Sequence, residues 1–478
     1  MFYDIAIIGA GVIGSLTARK LSEYNLKIAL LEKCNDVACA TSKANSGIVH
    51  AGFDAKPGSL KATLNVKGAK MMPEICKLLH VPYKNNGSLV VAFSEKETAT
   101  LRELYNRGIE NGVDSLEILD RDALVKAEPN ISTKAVAALL AKTAGIVCPY
   151  ELTIAAAECA ALNGVEFLRN CGVNAIRFEN DTFVLSTEQG EISAKYIINA
   201  AGVHSDDIAR MIGDNSINIQ ARLGEYALLD KSVGGVVNHV IFQCPTDMGK
   251  GVLVSPTVDG NIIVGPTAVD VEDKDSVAIA QQALGNVFKS ANISIPSVTM
   301  RDTITSFAGL RAHSLSDDFI IGSSKANSKF INVAGIESPG LASSPAIAEY
   351  VCEIFESVCD ETLEKKKEYN PSRKEPVKFR EMTDEQRREL IAKNNAYGRI
   401  ICRCETVTEG EIVDAINSPV GARDVDGVKR RTRAGMGRCQ SGFCGSKVME
   451  ILSRELNIPI NQITKFGGKS DILYERTK

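Results

Sequence analysis

The chain has 478 residues, of which 44% are hydrophobic and 24% are charged, and this composition is typical of a globular protein large enough for two or three domains. The formal charge of −4 argues against nucleic-acid binding, because proteins that contact phosphate backbones usually present a strongly basic face. No apolar run approaches the roughly 20 residues of a membrane helix, and the N-terminus lacks the basic and apolar regions of a signal peptide. We therefore expect a cytoplasmic protein without a transmembrane segment.

The first segment, YDIAIIGAGVIGSLTARKLSEYNLKIALLEK, predicts a strand, a tight glycine turn, a helix and a second strand. Gly9 allows the turn, Gly11 lets backbone N–H groups approach a pyrophosphate, and Gly14 lets the helix pack closely on the strand. Glu32 ends the second strand, where a carboxylate of such a unit binds a ribose hydroxyl group. The glycine spacing alone is weak evidence, but the complete unit predicts a bound dinucleotide.

The next segment, CATSKANSGIVHAGFDAKPGSLK, is small, polar and glycine-containing, where a nicotinamide enzyme would continue with another βα unit. With the preceding unit it resembles the D-amino-acid-oxidase-like superfamily of FAD enzymes. The resemblance implies an α/β fold, in which an FAD-binding Rossmann-like domain is joined to a substrate domain built on a mixed antiparallel sheet. It also implies that FAD is bound by Lys33, Thr41, Ser42, Asn45, Ser46 and Gly47. A solvated loop rich in small residues is the alternative.

Two later segments, AKYIINAAGVHSD and KFINVAGIESPGLASSPAIAEYV, are apolar strands that end in glycine and open onto a helix, and they predict further strands of the same sheet. In the resembled family the first passes near the dinucleotide and the second presents a helix N-terminus to the flavin. Free N–H groups at a helix N-terminus stabilise the anionic reduced flavin. The further cofactor residues that the resemblance implies are Val173, Ala201, Gly202, Gly335, Pro339, Gly340, Leu341 and Ala342.

The residues between these strands, about 81–145 and 215–310, contain β-branched and alternating runs such as GSLVVAF and GNIIVGPT. Such runs predict a mixed, largely antiparallel sheet. The FAD-binding domain is therefore discontinuous and is expected to comprise about 1–80, 146–214 and 311–360. In the resembled family the intervening sheet covers the flavin and holds the substrate.

Two side chains are predicted to contact the substrate. Arg311, in FAGLRAHS, matches an arginine that clamps an anionic group in the resembled family, and its guanidinium fits carboxylate or phosphate through two parallel hydrogen bonds. His50, in SGIVHAGFD, matches a position on the substrate side of the flavin, and an imidazole can accept the proton of an alcohol during oxidation. A surface ion pair for Arg311 and a structural role for His50 are the alternatives. Arg222 and Tyr226 are weaker candidates for substrate or flavin contacts.

Residues 361–397 are charge-dense and predict a linker with a short helix, after which a new domain, 398–478, begins. This domain contains C-x-C, 34 intervening residues and C-x4-C. Zinc usually prefers C-x2-C pairs and is the minority interpretation. The spacing and the phrase GVKRRTRAGMGRCQSGFC resemble the bacterioferritin-associated-ferredoxin type of [2Fe-2S] domain. The resemblance implies a small helical domain whose cluster is held by Cys402, Cys404, Cys439 and Cys444.

The same region contains a basic run, 429–433, which either offsets the negative charge of a cluster or forms a solvated basic face. The chain has thirteen cysteines, and we interpret the nine outside the C-terminal set as small buried residues, since cytosolic proteins rarely use disulfides.

Over nearly its full length the chain resembles the catalytic subunits of anaerobic glycerol-3-phosphate dehydrogenases. This implies a small anionic hydroxy substrate, sn-glycerol 3-phosphate, and as partners a second flavoprotein subunit and a small electron-transfer subunit, with peripheral membrane association left open. The motifs KANSGIVHAGFDAKPGSLK and AGVHSDDIARMIG also resemble L-2-hydroxyglutarate oxidases, so a 2-hydroxyacid dehydrogenase is the alternative. An electron-transfer or scaffold subunit is an alternative of another class. The cluster domain favours a dehydrogenase, since it turns two-electron flavin chemistry into single-electron transfer.

Overall fold

The computed structural model describes residues 1–245 and 251–475. Its strands, in chain order, are β1 Phe2–Ile8, β2 Ile28–Leu31, β3 Ile48–Val49, β4 Tyr83–Lys84, β5 Ser88–Ala92, β6 Leu116–Leu119, β7 Ala137–Ala141, β8 Gly145–Val147, β9 Glu166–Leu168, β10 Val173–Glu179, β11 Thr182–Thr187, β12 Gly190–Asn199, β13 Ile219–Leu229, β14 Val240–Gln243, β15 Leu253–Pro256, β16 Ile262–Gly265, β17 Val269–Val271, β18 Thr303–Ser314, β19 Ile320–Ser323, β20 Phe330–Ala334, β21 Ile400–Cys402 and β22 Val407–Thr408. Its α-helices are α1 Val12–Leu21, α2 Leu60–Leu78, α3 Glu95–Glu110, α4 Arg121–Ala127, α5 Pro149–Leu162, α6 Ser205–Arg210, α7 Gln281–Ser294, α8 Gly340–Val358, α9 Asp384–Lys393, α10 Glu409–Asn417, α11 Val425–Thr432 and α12 Gly445–Leu456.

An eight-stranded sheet contains the predicted dinucleotide-binding unit, with the order β10-β11-β12-β1-β2-β9 and with β20 and then β19 added beside β12. The strands β20, β12, β1, β2 and β9 run parallel to one another, whereas β11 and β19 pair antiparallel with β12 and β20. Parallel strands are covered on both faces and read as continuous apolar runs, as Phe330–Ala334 does, with every residue buried. Helices α1, α5 and α8 pack on one face of this sheet around Ile5, Leu16 and Leu152.

A nine-stranded sheet forms the second layer, with the order β17-β13-β16-β15-β14-β5-β7-β6 and with β18 paired to β13. Within the described residues its pairings are antiparallel apart from β14 with β5, which confirms the expected mixed sheet. Helix α7 packs on it through Val287 and Phe288. Strand β18 carries Arg311 and pairs with β13 along most of its length. Arg311 therefore lies on the second sheet, whereas the expected boundary assigned it to the FAD-binding domain.

The C-terminal residues form a small, mainly helical domain of α10, α11, α12 and the hairpin β21–β22, as expected. Thr408 and Glu411 form a capping box at the start of α10, because each side chain accepts a backbone N–H of the other residue. The apolar faces of the helices meet around Ile412, Val428 and Leu452.

The segment before this domain packs along the body of the protein. Lys365 forms a β-bridge with Tyr24, and the buried Arg373 pairs with Glu158 of α5. The short predicted helix is α9, which ends at Lys393. Among the described residues, we find no helix with the length and apolar character needed to cross a membrane.

Candidate active site and metal centre

The glycine-rich turn between β1 and α1 lies at the carboxyl ends of the parallel strands, where α/β sheets bind ligands. Gly9 has a φ of +104°, and a Cβ atom there would lie 2.5 Å from the carbonyl oxygen of Ala200. A Cβ atom on Gly14 would lie 1.9 Å from the carbonyl oxygen of Gly9. Both positions exclude any side chain, so the turn keeps the close approach that a pyrophosphate needs.

Glu32 lies beside this turn, at the end of β2. Its carboxylate accepts the backbone N–H of Ala10 at 2.9 Å and that of Cys34 at 3.0 Å. Burial raises the pKa of Glu32, although the two hydrogen bonds oppose the shift. Lys33 points elsewhere, since its ammonium group pairs with Asp275 at 2.8 Å on the surface.

The segment 41–47 connects the glycine turn with the second sheet. The hydroxyl oxygen of Ser42 accepts the N–H of Val12, in the first turn of α1, at 2.8 Å. The hydroxyl of Thr41 donates to the carbonyl oxygen of Leu310, on β18, at 2.6 Å. The segment is therefore tied both to α1 and to β18 of the second sheet.

The rest of the segment is ordered by its own side chains. Asn45 donates to the carbonyl oxygen of Thr41 at 3.0 Å and accepts the N–H of Gly47 at 2.9 Å. Gly47 has a φ of +68°, and a Cβ atom there would lie 2.6 Å from the carbonyl oxygen of Val147. Ser46 is half-buried between them. The tight conformation favours a cofactor-binding loop over a solvated one.

Strand β18 crosses directly over this segment. A Cβ atom on Gly309 would lie 2.1 Å from the carbonyl oxygen of Ala44. Two residues later, the half-buried guanidinium of Arg311 donates to the carbonyl oxygen of Thr267 at 3.1 Å and lies against Gly224, where a Cβ would be 2.6 Å from Nη2. No carboxylate of the described residues forms an ion pair with Arg311.

His50 follows the cofactor segment at the end of β3. Its ring stacks on Phe242 of the second sheet with centroids 5.6 Å apart, and its carbonyl oxygen accepts the side chain of Asn65 at 2.7 Å. The two predicted catalytic residues thus flank segment 41–47: His50 continues the chain, and Arg311 lies on the strand that Thr41 contacts.

The weaker candidates have structural partners. Arg222 pairs with Asp270 at 2.6 Å, and the buried ring of Tyr226 stacks on Phe307 with centroids 4.9 Å apart. A role of either side chain in substrate or flavin contact stays a prediction.

The turn from β20 to α8 approaches the same edge. Gly335 has a φ of +67°, and a Cβ atom there would lie 2.9 Å from the Cβ of Ser314. Helix α8 begins at Gly340 after Pro339, and no side chain caps its first N–H groups. The N–H of Gly340 donates to the carbonyl oxygen of Glu337, so the predicted contact with the flavin would have to use the N–H groups that follow it in the first turn.

The remaining cofactor candidates lie at different depths. Ala201 adjoins Gly9, whose Cβ would be 3.2 Å from the Ala201 Cα, and Gly202 follows with a φ of +60°. Ala342 is buried in α8, and Leu341 is half-buried beside it. Val173 begins the outer strand β10 and packs on the same apolar cluster as Ala201.

One buried ionic cluster was missed by the sequence analysis. The carboxylate of Glu337 accepts from Lys61 at 2.9 Å and contacts His313 at 2.9 Å. Burial by itself lowers the pKa of Lys61. The carboxylates of Glu337 and Asp317 raise it by a larger amount, so the pKa lies above its ordinary value. His313 could have been found from its spacing, since it is two residues from Arg311 on one strand and so shares a face with it.

The four C-terminal cysteines converge. Their sulfur atoms are 3.7 Å apart for Cys402 and Cys404 and 3.9 Å apart for Cys404 and Cys439, and the thiols of Cys402 and Cys444 are in hydrogen-bond contact, which raises the pKa of Cys402. A Cβ atom on Gly437 would lie 2.4 Å from the sulfur of Cys404, so this glycine makes room for the sulfur set. Contacts between successive sulfur atoms thus connect all four cysteines into one group.

The basic run lies at the interface with the FAD-binding domain. Arg430 and Arg431 pair with Asp36 at 2.6 and 2.7 Å, and the Asp36 side chain is fully buried. Burial raises the pKa of Asp36, but Arg431 and Arg430 outweigh it and lower the pKa to about 2. Asp36 lies in the loop after β2, between Glu32 and Thr41, so these ion pairs join that loop to the cluster domain.

A second ion pair set joins the cluster domain to the second sheet. Arg433 contacts Glu405 at 2.9 Å within its own domain and Asp259 at 2.7 Å across the interface. The side chains of Arg430, Arg431 and Arg433 are 5–7% exposed. The prediction of a solvated basic face is therefore wrong, because buried acids from three parts of the chain surround the run.

A hydrogen bond also joins α5 to the cysteine loop. Tyr150, in the first turn of α5, lies with its hydroxyl 3.5 Å from the sulfur of Met436, which precedes Gly437 of the cysteine loop. Val147, three residues before Tyr150, contacts Gly47 of the cofactor segment. The cofactor segment and the cysteine loop thus share one group of neighbours.

Comparisons with known proteins agree with this arrangement. Residues 4–354 match the family of FAD dependent oxidoreductases (DAO), and residues 400–454 match the BFD-like [2Fe-2S] binding domain. The chain belongs to the DAO family of FAD-dependent oxidoreductases. It is an enzyme of the kind that acts on CH–OH donors, with FAD and a [2Fe-2S] cluster as cofactors, and the glycine turn and the converging sulfurs fit these two groups.

Individual relatives are informative about the substrate. The chain is 49% identical over 476 residues to a glycerol 3-phosphate dehydrogenase of Caloramator mitchellensis, and the match covers 100% of this chain and 99% of that protein. The structure of dithionite-reduced L-alpha-glycerophosphate oxidase from Mycoplasma pneumoniae with FAD bound is similar at a TM-score of 0.75 and 33% identity, covering 78% of this chain and 98% of that one. The mitochondrial L-2-hydroxyglutarate dehydrogenase of Mus musculus is 28% identical, covering 72% of this chain and 87% of that protein.

Proposed function

We propose that this protein oxidises sn-glycerol 3-phosphate to dihydroxyacetone phosphate and passes the electrons on through its C-terminal cluster domain. The full-length similarity to a glycerol 3-phosphate dehydrogenase, at 49% identity and including the cluster domain, carries the proposal. The L-2-hydroxyglutarate relative is more distant, at 28% identity over a shorter part of the chain.

Arg311 is proposed to bind the phosphate group. Its guanidinium is half-buried over the cofactor segment, and its described hydrogen bond, to the carbonyl oxygen of Thr267, leaves further N–H groups for an anion. A planar guanidinium can donate two parallel hydrogen bonds to a phosphate, which fixes the orientation of the substrate as well as its charge. Gly224 supports this role, since a larger residue there would displace the guanidinium.

His50 is proposed to accept the proton of the substrate hydroxyl. Stacking on Phe242 and the hydrogen bond from Asn65 to the backbone hold the imidazole between the cofactor segment and the second sheet. When bound, FAD supplies the acceptor for the hydride that leaves the carbinol carbon. Loss of the proton to His50 lets the oxygen become the carbonyl oxygen of the product.

The ionic cluster of Lys61, Glu337 and His313 is proposed to position the turn between β20 and α8. Glu337 lies in that turn, and Lys61 and His313 hold it from α2 and β18 at 2.9 Å each. These contacts fix the uncapped N-terminus of α8 relative to Arg311, two residues from His313 on the same strand.

Cys402, Cys404, Cys439 and Cys444 are proposed as the cluster ligands. Electrons would then pass from the cluster domain to protein partners. We propose a second flavoprotein subunit and a small electron-transfer subunit as these partners, and a cytoplasmic location for the complex. The BFD-like domain supports electron transfer to a partner in general terms.

Anaerobic titration of the purified holoenzyme tests the proposal. We expect glycerol 3-phosphate to bleach the flavin absorbance rapidly and L-2-hydroxyglutarate to bleach it slowly or not at all. Bleaching by L-2-hydroxyglutarate alone would assign the protein to the 2-hydroxyacid dehydrogenases. Bleaching by neither compound, with reduction by a partner flavoprotein, would assign it to the electron-transfer subunits.

A further inference from the structure

The exposed charged residues that adjoin the four cysteines in the chain are all basic. Within three positions of the four cysteines, the exposed charged side chains are Arg399, Arg403, Arg438 and Lys447. The acidic residue in this stretch, Glu405, is 3% exposed and pairs with Arg433. This cationic face contrasts with the formal charge of −4 of the whole chain.

Two of these cations are already paired, and two are available. Arg399 pairs with Glu409 and Arg438 with Asp230. Arg403 and Lys447 form no ion pair with a carboxylate of the described residues. Arg403 lies between two of the cysteines, so its charge is presented beside the exposed Cys404.

An exposed aromatic side chain completes the cationic face. Phe443 is 86% exposed, although it precedes Cys444, which is 2% exposed. A large aromatic side chain at such a position loses the free energy of apolar burial unless another molecule covers it. An aromatic centre with a polar rim is the usual composition of a protein–protein contact.

We propose that the cationic face around Phe443 is the docking surface for an acidic electron-accepting protein, and that electrons leave this domain there. The inference rests on the proposed function for the source of the electrons. In each encounter the reduced enzyme loses one electron and is oxidised, and the centre of the acceptor gains that electron and is reduced. No atom is transferred. Opposite charges raise the rate of such encounters by roughly 10–10³-fold, and salt removes the advantage.

The test uses cytochrome c as a probe in two forms, the native basic protein and its succinylated acidic derivative, because they share one fold and one haem and differ in charge. The holoenzyme is first reduced photochemically without oxygen, and haem reduction is then followed by stopped-flow absorbance. At low ionic strength we expect the acidic form to be reduced at least about tenfold faster than the basic form, and we expect the difference to disappear at high salt.

Charge-reversal variants locate the docking surface. Arg403→Glu combined with Lys447→Glu should reverse the preference between the two cytochromes. The matched control combines Lys96→Glu with Lys289→Glu, two exposed lysines on α3 and α7, and should leave the preference unchanged. Phe443→Ser should slow the reduction of both probes without changing the salt dependence. Iron content and the EPR signal establish that the cluster is intact in each variant.

Equal rates for the two cytochromes with the wild-type enzyme would overturn the proposal. So would the same reversal in the control variant, or a retained preference in the cluster-free variant Cys439→Ser. Binding to anionic lipid vesicles without discrimination between the cytochromes would assign the face to a membrane surface. A failure of glycerol 3-phosphate to bleach the flavin would count against the proposed function alone, since photoreduction does not use the substrate.

Discussion

Arg222 and Arg311 are directly opposed residues on the paired strands β13 and β18, yet their surroundings differ. Arg222 is neutralised by Asp270, whereas Arg311 has no carboxylate partner in the described residues. The same residue type in opposed positions is therefore paired with a carboxylate in one case and proposed to bind the substrate in the other. The two environments differ because strand β17, beside β13, places Asp270 next to Arg222. The two arginines are therefore a matched pair for mutagenesis.

The first prediction concerns this pair. Arg311→Ala should raise KM for glycerol 3-phosphate by about 10²-fold or more, since truncating one member of a desolvated charge pair costs about 2–5 kcal/mol. Arg222→Ala should change KM by less than about fivefold, as expected for a partly exposed ion pair. Steady-state kinetics on both variants, normalised to flavin content, provide the measurement. Equal effects of the two substitutions would remove the phosphate-binding role from Arg311.

The second prediction concerns His50. His50→Gln should lower kcat by about 10²–10⁴-fold, because the hydroxyl proton loses its acceptor. Substrate binding should change little, since Arg311 still holds the phosphate. The rate of flavin bleaching under single-turnover conditions measures the loss, and His80→Asn, in a half-buried histidine of the loop after α2, is the control. An unchanged bleaching rate would leave His50 with a structural role.

At the scale of elements, the loop after β2 has two functions. It begins with Glu32 beside the glycine turn and continues to Asp36, which is buried against Arg430 and Arg431 of α11. Helix α11 therefore contacts the loop after β2 through ion pairs. The arginines of the basic run point into the protein, where they pair with acids from distant parts of the chain.

The third prediction tests this contact. Asp36→Asn should destabilise the protein by about 3–5 kcal/mol, because two buried arginines lose their counter-charge. The matched control is Asp230→Asn, which breaks the pair with Arg438, a side chain that is 72% exposed, and should cost less than about 1 kcal/mol. Chemical denaturation and limited proteolysis at the segment 361–378 measure the two effects. Comparable stability of the two variants would mean that the buried pair does not anchor the domain.

The same contact predicts a dependence on pH. The arginines lower the pKa of Asp36 to about 2, below its ordinary value of 3.8. A lowered pKa gives stability that is complete above the unfolded pKa and is lost as the pH falls from about 4 towards 2. In acid-unfolding experiments the Asp36→Asn variant should lose this part of the slope, and an unchanged slope would mean that the ion pair does not contribute to acid stability.

Local patterns were sufficient for the elements that carry the cofactor sites. The turn at Gly9 and Gly14 depends on neighbouring residues, and the cysteine spacing is visible in the sequence itself. The partners of Arg433 could not be predicted, since Asp259 and Asn261 are 174 and 172 residues away, and runs of charge are usually solvated. Likewise, Glu337 is 276 residues from Lys61, and only the folded chain brings them together.

On the scale of the whole molecule, the first sheet, the second sheet and the cluster domain meet around one region. Segment 41–47 touches β18 through Thr41, and the cysteine loop reaches Tyr150 through Met436. Segment 41–47 and the cysteine loop therefore have separate contacts, the first with β18 of the second sheet and the second with the first turn of α5. In the proposed function, electrons enter where Arg311 and His50 bind the substrate and leave at the exposed face around Phe443.

The last prediction separates the two halves of this path. Cys439→Ser removes one thiolate and should abolish or destabilise the [2Fe-2S] signal in EPR, while glycerol 3-phosphate still bleaches the flavin at close to the wild-type rate, because Arg311 and His50 are unaffected. Cys359→Ser, at a half-buried cysteine outside the sulfur set, should leave both signals intact. Transfer of electrons to a protein acceptor should then fail in Cys439→Ser and persist in Cys359→Ser. If anaerobically prepared wild-type protein contains zinc without labile sulfide, or if Cys439→Ser still reduces the acceptor at the normal rate, electrons do not leave through the four cysteines.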